Sequence, residues 1–270
     1  MQTNWRIIPL QTHDAFMNMA LDEACSEAVA GASQAGGTTK VLPTIRFYRW
    51  QPSAVSIGYF QSLKDEVATA KCLEAGVNVV RRRTGGGAVF HDYEGEITYS
   101  IIAPESIFPK GITESYHEIC GWIVESLAIL GVPTEFKPIN DIILSPHATG
   151  PNGEPVGGKK ISGNAQTRRN GILLQHGTIL YKVDVPKMFS LLKVGQEKIS
   201  DKMIKTVEER VSSIQLLKPE ITIEQVYEAL LKGFTQGKNF TIGDWTSQEL
   251  ERAQELARTR YGTPAWNELR

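Results

Sequence analysis

Apolar residues recur at helical spacing in several stretches of the chain. From Phe16 to Val29 they follow the i, i+3, i+4, i+7 pattern of a helix with one buried face. The apolar positions of this helix are Met17, Ala20, Leu21, Ala24 and Ala28. A second helix is predicted from an N-cap at Thr113 to Leu130, with Gly131 ending it. A shorter helix is predicted from Lys64 to Ala75.

Runs of alternating or continuous apolar character predict β-strands between these helices and beyond them. The predicted strands are Thr44–Tyr48, Ala54–Gly58, Val77–Val80, Ala88–His91, Glu96–Ile101 and Gly171–Tyr181. The short turn Tyr93–Gly95 predicts that the fourth and fifth of these strands pair as a hairpin. Small and polar residues predict loops at Gly31–Thr39 and Ser145–Gly158, and another strand is expected to begin at Lys159 and Lys160.

The last part of the chain is predicted to be helical. The run Lys193–Arg210 is charged and helical in pattern, and the capping boxes Thr222-x-x-Gln225 and Thr246-x-x-Glu249 indicate two more helices. Strands followed by helices favour an α+β fold, with a mixed or largely antiparallel sheet backed by helices. We expect residues 1–215 to form the main domain and residues 216–270 to form a short helical tail packed on it, with no further C-terminal domain.

Composition and charge exclude several classes of partner. A chain of 270 residues with 29 basic and 30 acidic residues carries a formal charge of -1, so no global field draws it to nucleic acid or to anionic lipid. No apolar run is long enough to cross a bilayer and no leader follows Met1, which predicts a cytoplasmic protein with no membrane partner. The cysteines Cys25, Cys72 and Cys120 lie far apart, which argues against a disulfide framework and a Cys-x-x-Cys metal site.

The most distinctive stretch runs from Arg81 to Asp92 and joins three arginines to three consecutive glycines. Glycine loses more backbone freedom on folding than other residues, so a triple glycine indicates close approach to another group or φ > 0. Backbone N–H groups in such a loop line a concavity for an anion, and arginine offers a planar fork for phosphate or carboxylate. The alternative is a glycine hairpin with a solvated basic flank; Arg82, Arg83 and His91 favour the anion site.

Two short motifs further along the chain carry polar groups suited to an anionic ligand. Asn140 and Asp141 follow a proline and either bind a nucleotide or Mg²⁺ or simply form a turn. Lys159 and Lys160 begin a strand, where alternation places them on opposite faces, so at most one points inward. Lys160 is our choice for the site; the alternative is a solvated lysine pair on an edge strand. His91 either bonds a substrate carbonyl or pairs with backbone.

Taken together, these segments resemble the lipoate–protein ligase family of the lipoate/biotin ligase fold. The matching segments are RRTGGGAVFHD at Arg82–Asp92, PINDI at Pro138–Ile142, GKKISGNAQ at Gly158–Gln166 and His176-Gly177-Thr178. Fainter similarity extends over nearly the whole chain. The resemblance implies that residues 1–215 form a class II biotin/lipoate ligase-like catalytic domain.

The resemblance also implies a reaction and a site. Lipoate would be activated by ATP, with Mg²⁺, to lipoyl-adenylate, and the lipoyl group would pass to a lysine of a lipoyl-domain protein such as a 2-oxoacid dehydrogenase E2 subunit or the glycine cleavage H protein. Lys160 would be the catalytic residue, and Asp141 would hold the metal. The residues predicted to bind ATP or lipoate are Arg82, Arg83, Gly85, Gly86, Gly87, Ala88, Val89, Phe90, His91, Asn140, Asp141, Lys160, Gly163, His176, Gly177 and Thr178.

Two features depart from the family pattern. Glu96 stands where the family usually has Asn or a similar small polar residue, which leaves its contact to the ligand open. The chain stops at Arg270, soon after Trp266 and Asn267, whereas single-chain lipoate ligases continue into a C-terminal accessory domain. By resemblance, we expect the catalytic large subunit of a bipartite ligase, acting with a separate small accessory subunit.

The main alternative is an octanoyl- or lipoyl-transferase of the same fold, which takes acyl groups from a carrier and shares the Ser-Gly-x-Ala-Gln and Gln-His-Gly segments. Such transferases form a thioester on a cysteine placed ahead of the Lys-Ile-x-Gly motif, and residues 142–158 contain none, so we favour the ligase. A non-catalytic lipoate or nucleotide binder remains open. Biotin ligase is disfavoured because the Gly-Arg-Gly-Arg pattern is missing, and nucleic-acid binding because no aromatics interleave with Arg81–Arg83.

Overall fold

The structure is a computed structural model and describes residues 3–34, 41–193 and 209–270. Most of the predicted helix Lys193–Arg210 and the second half of the predicted loop Gly31–Thr39 lie outside these residues. The eleven strands named below belong to the described ranges alone.

The strands are β1 (Asn4–His13), β2 (Thr44–Trp50), β3 (Ala54–Ile57), β4 (Asn78–Arg81), β5 (Val89–His91), β6 (Glu96–Pro104), β7 (Thr134–Lys137), β8 (Asp141–Leu144), β9 (Lys160–Arg169), β10 (Ile172–Leu180) and β11 (Asn239–Ile242). The helices are α1 (Ala15–Gln34), α2 (Leu63–Glu66), α3 (Thr69–Glu74), α4 (Ile112–Ile129), α5 (Val185–Leu191), α6 (Ile214–Leu217), α7 (Ile223–Thr235), α8 (Ser247–Leu256) and α9 (Pro264–Asn267). A 3₁₀ turn lies at Glu105–Ile107 and a π-helical turn at Ala257–Tyr261.

A mixed eight-stranded sheet forms the centre of the fold, in the order β11-β1-β2-β6-β10-β9-β8-β7. The strands β11, β1 and β2 run parallel to one another. In the rest of this sheet, from β2 through β6, β10, β9 and β8 to β7, each neighbouring pair is antiparallel. A smaller sheet, in the order β4-β3-β5, contains the strand that leads into the glycine stretch and the strand that leaves it.

Helices cover both faces of the large sheet, because β2 is buried on both faces and its side chains enter two separate apolar cores. Ile45 and Phe47 belong to one apolar core and Tyr48 and Trp50 to the other. The first core is closed by α4 and α7, which pack on each other, and the second by α1 and α8. A third and smaller core lies under the small sheet and includes Cys72 and Leu191. The predicted α+β fold with a mixed sheet backed by helices is therefore confirmed.

The predicted hairpin between Ala88–His91 and Glu96–Ile101 is wrong. β5 pairs with β3 in the small sheet, whereas β6 lies between β2 and β10 in the large sheet. The turn at Asp92–Gly95 therefore carries the chain from one sheet to the other. This crossing matters for the site, because it places the end of the glycine stretch against the first residues of β6.

Other boundaries shift by a few residues for local reasons. The predicted helix Lys64–Ala75 is divided into α2 and α3 by Val67, whose extended backbone ends α2. The N-cap of α4 is Gly111 rather than Thr113. Both capping boxes are present as predicted, at the starts of α7 and α8. Between these two helices the short strand β11 adds to the edge of the large sheet beside β1.

The segment 216–270 is bound to the main sheet by charge as well as by packing. Arg6 on β1 donates two hydrogen bonds to the Glu249 carboxylate on α8, at 2.6 and 2.8 Å, and both side chains are buried.

Among the described helices, none has the length and apolar character that crossing a bilayer requires.

Candidate active site

A cavity of about 330 Å³ opens between the small sheet and the strands β6, β9 and β10, a size within the range of roughly 300–1,000 Å³ for small-molecule sites. All of the predicted site residues line it except Arg83, Gly85 and Asp141. The structure thus brings together motifs that lie far apart in the sequence, while their predicted role in binding ATP or lipoate stays a prediction. The apolar lining comes from Met19, Trp50, Ala88, Val89, Phe90, Leu180, Val183, Met188 and Val211.

Arg82 organises the glycine stretch from within. All five of its N–H groups are donated inside the protein: Nε to Thr84 Oγ1, Nη1 to Ser56 O and Oγ, and Nη2 to the carbonyls of Gly85 and Gly87. Burial lowers the pKa of the Arg82 guanidinium to about 10, so it remains charged at neutral pH. In this arrangement the cation fixes the shape of the loop rather than presenting a free fork to an anion.

The glycine stretch is shaped at its middle residue. Gly86 has φ +96°, a conformation that L side chains rarely adopt. Its carbonyl lies against Gly58, where an added Cβ would overlap the Gly86 oxygen and stand 3.0 Å from its carbonyl carbon. Gly85 and Gly87, by contrast, have open space at their Cβ positions. Two backbone segments therefore touch directly at Gly58 and Gly86, and this contact sets the position of the loop.

The other two arginines of the cluster point elsewhere. Arg81 is buried and donates to the carbonyls of Gly58, Tyr59, Gln61, Trp266 and Asn267, which holds the C-terminal helix α9 against β4. Arg83 pairs with the buried carboxylate of Glu23 on α1, together with Arg260. Of Arg81–Arg83, only Arg82 lines the cavity. The prediction that Arg83 contacts the substrate stays a prediction.

Lys160 lies at the first position of β9 and lines the cavity, and its catalytic role stays a prediction. Its Nζ pairs with Asp141 Oδ1 at 2.7 Å, and both side chains are partly exposed. Gly163 makes room for this side chain: an added Cβ would lie 2.7 Å from both Cε and Nζ of Lys160. The carboxylate of Asp141 is therefore already paired with the Lys160 ammonium group. Within the described residues, no group of three His, Cys, Asp or Glu side chains stands close enough to hold a metal; Mg²⁺ at Asp141 remains a prediction.

Asn140 fixes the wall beside Lys160 through Asn164. Asn140 Nδ2 donates to the Asn164 carbonyl at 2.5 Å, and the Asn164 amide returns a bond to the Asn140 carbonyl at 2.9 Å. Asn164 Oδ1 also accepts a bond of 2.7 Å from the Tyr99 hydroxyl. A Cβ at Gly177 would overlap Asn164 Oδ1, which explains the glycine after His176. The strand β10 continues through this position without interruption.

His176 is held in the first of two hydrogen-bonded relays. Its Nε2 lies 2.7 Å from Thr84 Oγ1 and its Nδ1 3.2 Å from Asp22 Oδ2. Asp22 is in turn bound by Arg46 at 3.0 Å and by Ser100 at 2.9 Å. Burial lowers the pKa of His176, against the opposing effect of Asp22. His176 lines the cavity, whereas Thr84 does not.

His91 is held in the second relay, and all of its members line the cavity. Its Nε2 lies 2.8 Å from Ser56 Oγ and its Nδ1 2.6 Å from Glu96 Oε1. Thr98 also donates to Glu96 Oε1, at 2.8 Å, and accepts a bond of 2.7 Å from the Trp50 indole N–H. Glu96 thus has a defined role: it orients His91, the residue that follows the glycine stretch.

None of the three cysteines reaches the cavity. Cys25, Cys72 and Cys120 are all buried and unpaired, and they belong to three different apolar cores. Burial raises the pKa of Cys25 and of Cys120 to about 12, and it also raises the pKa of Cys72. The thiols therefore stay protonated at neutral pH and are poor nucleophiles.

The sequence reasoning missed Asp22, Trp50 and Ser56, three residues that build the walls and relays of this site. Each lies in a strand or helix whose pattern is otherwise that of ordinary core. A polar residue inside an apolar run was the one available signal, at Asp22 in α1 and at Ser56 in β3. That signal indicates a buried polar group that needs a hydrogen-bond partner, but it does not identify the partner.

The comparison with known families decides the assignment. Residues 14–235 match the family described as lipoyl protein ligase A/B catalytic domain. The chain belongs to this family. Members of the family are lipoate and octanoate ligases and transferases, so the chain is an enzyme of protein lipoate modification.

Its relatives of similar length include octanoyltransferases. The chain is 35% identical to octanoyltransferase LipM of Symbiobacterium thermophilum, over 99% of each chain. It is 37% identical to octanoyltransferase LipM of Brevibacillus brevis, over 97% of this chain and 98% of the other. These relatives overturn the prediction of an ATP-dependent lipoate ligase. The prediction was wrong because it took the absence of a cysteine from residues 142–158 as evidence against a transferase, and the relatives support that alternative.

Solved structures confirm the fold. The bi-partite lipoate protein ligase of Thermoplasma acidophilum superposes with a TM-score of 0.81, at 30% identity, over 99% of this chain and 97% of the other. A lipoate-protein ligase A bound with ATP gives 0.76, at 28% identity, over 99% of each chain. The predicted class II biotin/lipoate ligase-like fold is therefore confirmed. The match to the bi-partite ligase of Thermoplasma acidophilum shows no partner for this chain, so the small accessory subunit stays a prediction.

Proposed function

We propose that this enzyme transfers an octanoyl group from a thioester of an acyl carrier to the lysine of a lipoyl-domain protein. The observation that carries the proposal is the cavity itself: its largely apolar lining also includes Lys160 and the two buried histidines His91 and His176. Its relatives in Symbiobacterium and Brevibacillus, similar over almost the full chain, support the same reaction.

The lining of the cavity suits a saturated acyl chain. Trp50 and Phe90 supply ring surfaces, while Met19, Leu180 and Met188 supply flexible apolar side chains. Each buried methylene of a ligand contributes about 0.8 kcal/mol of transfer free energy. The methylene groups of an eight-carbon chain therefore supply most of its binding free energy. The thioester carbonyl then lies among the polar groups of the cavity.

Lys160 is the residue we assign to the reacting carbonyl. Attack of a nucleophile on a thioester builds negative charge on the carbonyl oxygen, and an ammonium donor in a partly enclosed site stabilises that charge. Asp141, 2.7 Å from the ammonium, keeps Lys160 oriented until the substrate arrives. Gly163 leaves the space in which the side chain lies.

The reaction needs no adenylate, because a thioester is already activated for attack by an amine. ATP and Mg²⁺ therefore have no step in this proposal, and their binding remains an expectation drawn from resemblance alone. The acceptor is a lipoyl-domain protein, whose exposed lysine reaches the polar groups of the cavity. Asn140 and Asn164, which are hydrogen-bonded to each other, line the same cavity.

The experiment that tests the proposal measures octanoylation of a purified lipoyl domain by intact mass. One arm supplies octanoyl-acyl carrier protein without nucleotide, and the other supplies free octanoate or lipoate with ATP and Mg²⁺. We expect mass gain of one octanoyl group in the first arm. Gain in the second arm alone would overturn the proposal.

Two lysine variants locate the reaction in this cavity. Lys160→Ala is expected to lower kcat in the carrier arm by about 10²–10³-fold, the usual cost of losing one donor to a developing oxyanion. Lys159→Ala, at the residue just before β9 and outside the cavity lining, is the matched control and is expected to retain most of the activity. Equal loss in both variants would place the reacting carbonyl elsewhere.

A further inference from the structure

Ser56, His91 and Glu96 form a hydroxyl–imidazole–carboxylate relay inside the cavity. Ser56 Oγ lies 2.8 Å from His91 Nε2, and His91 Nδ1 lies 2.6 Å from Glu96 Oε1. Their relative exposures are 1%, 5% and 1%, so the relay is shielded from bulk solvent, yet all three residues line the cavity. These are the contacts by which a serine nucleophile, its general base and an orienting carboxylate are recognised.

The hydrogen bonds fix the direction of the relay. Glu96 accepts through Oε1, so His91 carries its proton on Nδ1 and leaves Nε2 free to accept. Ser56 Oγ accepts a bond of 3.1 Å from Arg82 Nη1, so its own proton points to His91 Nε2. The imidazole is therefore in the tautomer that can remove the hydroxyl proton.

Surrounding groups hold the imidazole in place and favour charge on the serine oxygen. The Trp50 ring stacks on His91, and Thr98 gives Glu96 Oε1 a second hydrogen bond. The guanidinium of Arg82 next to Ser56 Oγ stabilises negative charge as the hydroxyl loses its proton. Oε2 of Glu96 is buried and has no hydrogen-bond partner among the described residues.

The other candidate nucleophiles, the three cysteines and Thr84, do not combine a hydrogen-bonded relay with a place in the cavity lining. The cysteines are buried in three cores outside the cavity lining, and burial raises the pKa of each thiol. Thr84 has a similar relay with His176 and Asp22, but its hydroxyl does not line the cavity. Among the described residues, Ser56 is thus the hydroxyl that both lines the cavity and lies in contact with an imidazole base.

We infer that Ser56 is the acyl-accepting nucleophile of the enzyme, with His91 as general base and Glu96 as the positioning residue. This inference rests on the proposed acyl transfer and deepens it: the reaction passes through an octanoyl ester on Ser56. It replaces the cysteine thioester that the family resemblance implies for a transferase.

Each step balances without a further reactant. Ser56 Oγ attacks the thioester carbonyl carbon while His91 Nε2 takes the hydroxyl proton, and the C–S bond breaks to release a thiolate that takes this proton and leaves as the thiol. The neutral amine of the acceptor lysine then attacks the ester carbonyl. His91 takes one amine proton and returns it to Ser56 Oγ as the C–O bond breaks. Thioester and amine become amide and thiol.

The test is to trap the acyl-enzyme. The intact protein is mixed with octanoyl-acyl carrier protein, or with a chromogenic octanoate ester, in the absence of acceptor, quenched in acid and analysed by intact mass and peptide fragmentation. We expect one octanoyl group on Ser56, resistant to neutral hydroxylamine because it is an oxygen ester. A variant with Cys25→Ala, Cys72→Ala and Cys120→Ala is expected to acquire the same label.

Variants of the relay separate chemistry from folding. Ser56→Ala is expected to lose the label, and Ser56→Cys to regain it as a thioester that neutral hydroxylamine removes, which shows that the site is folded. Glu96→Gln removes the carboxylate that fixes the His91 tautomer and is expected to slow labelling by about 10²-fold or more. Thermal unfolding of each variant identifies any that fail to fold.

The outcomes distinguish this inference from the proposed function. Octanoylation of the lipoyl domain with no label on Ser56, and with Ser56→Ala as active as the parent, would overturn the inference and leave the transferase standing. Labelling of Ser56 by the chromogenic ester without any transfer to the lipoyl domain would support the nucleophile and overturn the proposed acceptor. Label on a cysteine would overturn the inference directly.

Discussion

The indole ring of Trp50 stacks on the imidazole of His91, with ring centroids 4.1 Å apart and planes inclined by 16°. Trp50 lies at the end of β2 in the large sheet and His91 at the end of β5 in the small sheet. The contact therefore joins the two sheets at the cavity. The indole N–H also donates to Thr98, which in turn donates to Glu96, so one side chain supports the histidine by stacking and its carboxylate by hydrogen bonding.

Trp50→Phe should separate these two roles. Phenylalanine keeps a ring for His91 but cannot donate to Thr98, so the buried hydroxyl loses a partner and the core loses volume. We expect the free energy of unfolding to fall by about 1–3 kcal/mol in urea titrations. We also expect octanoyl transfer to slow several-fold, because Glu96 is held less firmly.

The matched control is Trp122→Phe on α4. Trp122 packs against Trp5, Phe108 and Phe234 in the core on the other side of the sheet and does not line the cavity. It should lose stability of similar size while keeping the parent transfer rate. A transfer rate that follows stability equally in both variants would argue against a positioning role for Trp50.

Gly163→Ala should impair the site with little effect on the fold. The added Cβ would lie 2.7 Å from the end of the Lys160 side chain, which is flexible and moves away, and backbone at position 163 is an ordinary strand. We expect kcat for octanoyl transfer to fall by about 10²-fold, in line with loss of a donor to the oxyanion. The free energy of unfolding, measured in urea, should change by no more than about 1 kcal/mol.

Gly121→Ala on α4 controls for the added methyl group. Its Cβ would meet nothing within 4 Å, and alanine is the better helix former, so stability should rise by about 0.5–1 kcal/mol with the transfer rate unchanged. Full activity of Gly163→Ala would mean that Lys160 works from another position than the one seen here.

Gly58→Ala should displace the glycine stretch. The added Cβ would overlap the backbone oxygen of Gly86, and backbone cannot rotate away as a side-chain end can. We expect a loss of about 1–3 kcal/mol in the free energy of unfolding, the usual cost of overpacking, together with weaker binding of octanoyl thioester. Gly85→Ala, in the same loop but with open space at its Cβ, should cost less than about 0.5 kcal/mol. Similar losses in both variants would mean that the loop adapts and the contact is unimportant.

The parts of the fold that could be predicted from sequence are those with a local signal. The helices α1 and α4 have strong apolar periodicity, and α7 and α8 begin with capping boxes whose four residues are adjacent in the chain. Strands such as β2 and β10 were found in the same way. Which strands pair is a different question, because alternation in one strand says nothing about its neighbour. The hairpin predicted between β5 and β6 was wrong for this reason.

The same distinction applies to the site. The glycine stretch, the lysine motif at Lys160 and the His176 motif are each short continuous segments, so each could be recognised in the sequence, and the structure places residues of all three in one cavity. The relays join residues that are distant: Ser56 and His91 are 35 positions apart and Asp22 and His176 are 154 apart. No spacing rule connects such pairs, so their chemistry appears only when the sheets are assembled.

His176 should make the stability of the protein depend on pH in a predictable direction. Burial lowers its pKa in the folded protein from the ordinary value of 6.5, whereas the unfolded chain keeps that ordinary value. Below pH 6.5 the unfolded chain therefore binds a proton that the folded protein does not, and stability falls as the pH falls. Burial lowers the pKa of His13 as well, so it adds an effect of the same sign.

Urea titrations at several pH values between 8 and 5 measure this dependence, which amounts to at most about 1.4 kcal/mol per pH unit for each proton. His176→Asn should be less stable at pH 8, since Asp22 and Thr84 lose a partner, but its stability should fall less steeply below pH 6.5. His147→Asn, at an exposed histidine outside the cavity lining, is the control for the substitution itself. A slope that is the same in His176→Asn and in the parent protein would show that His176 takes up its proton equally well in the folded and unfolded states, against the burial seen in the structure.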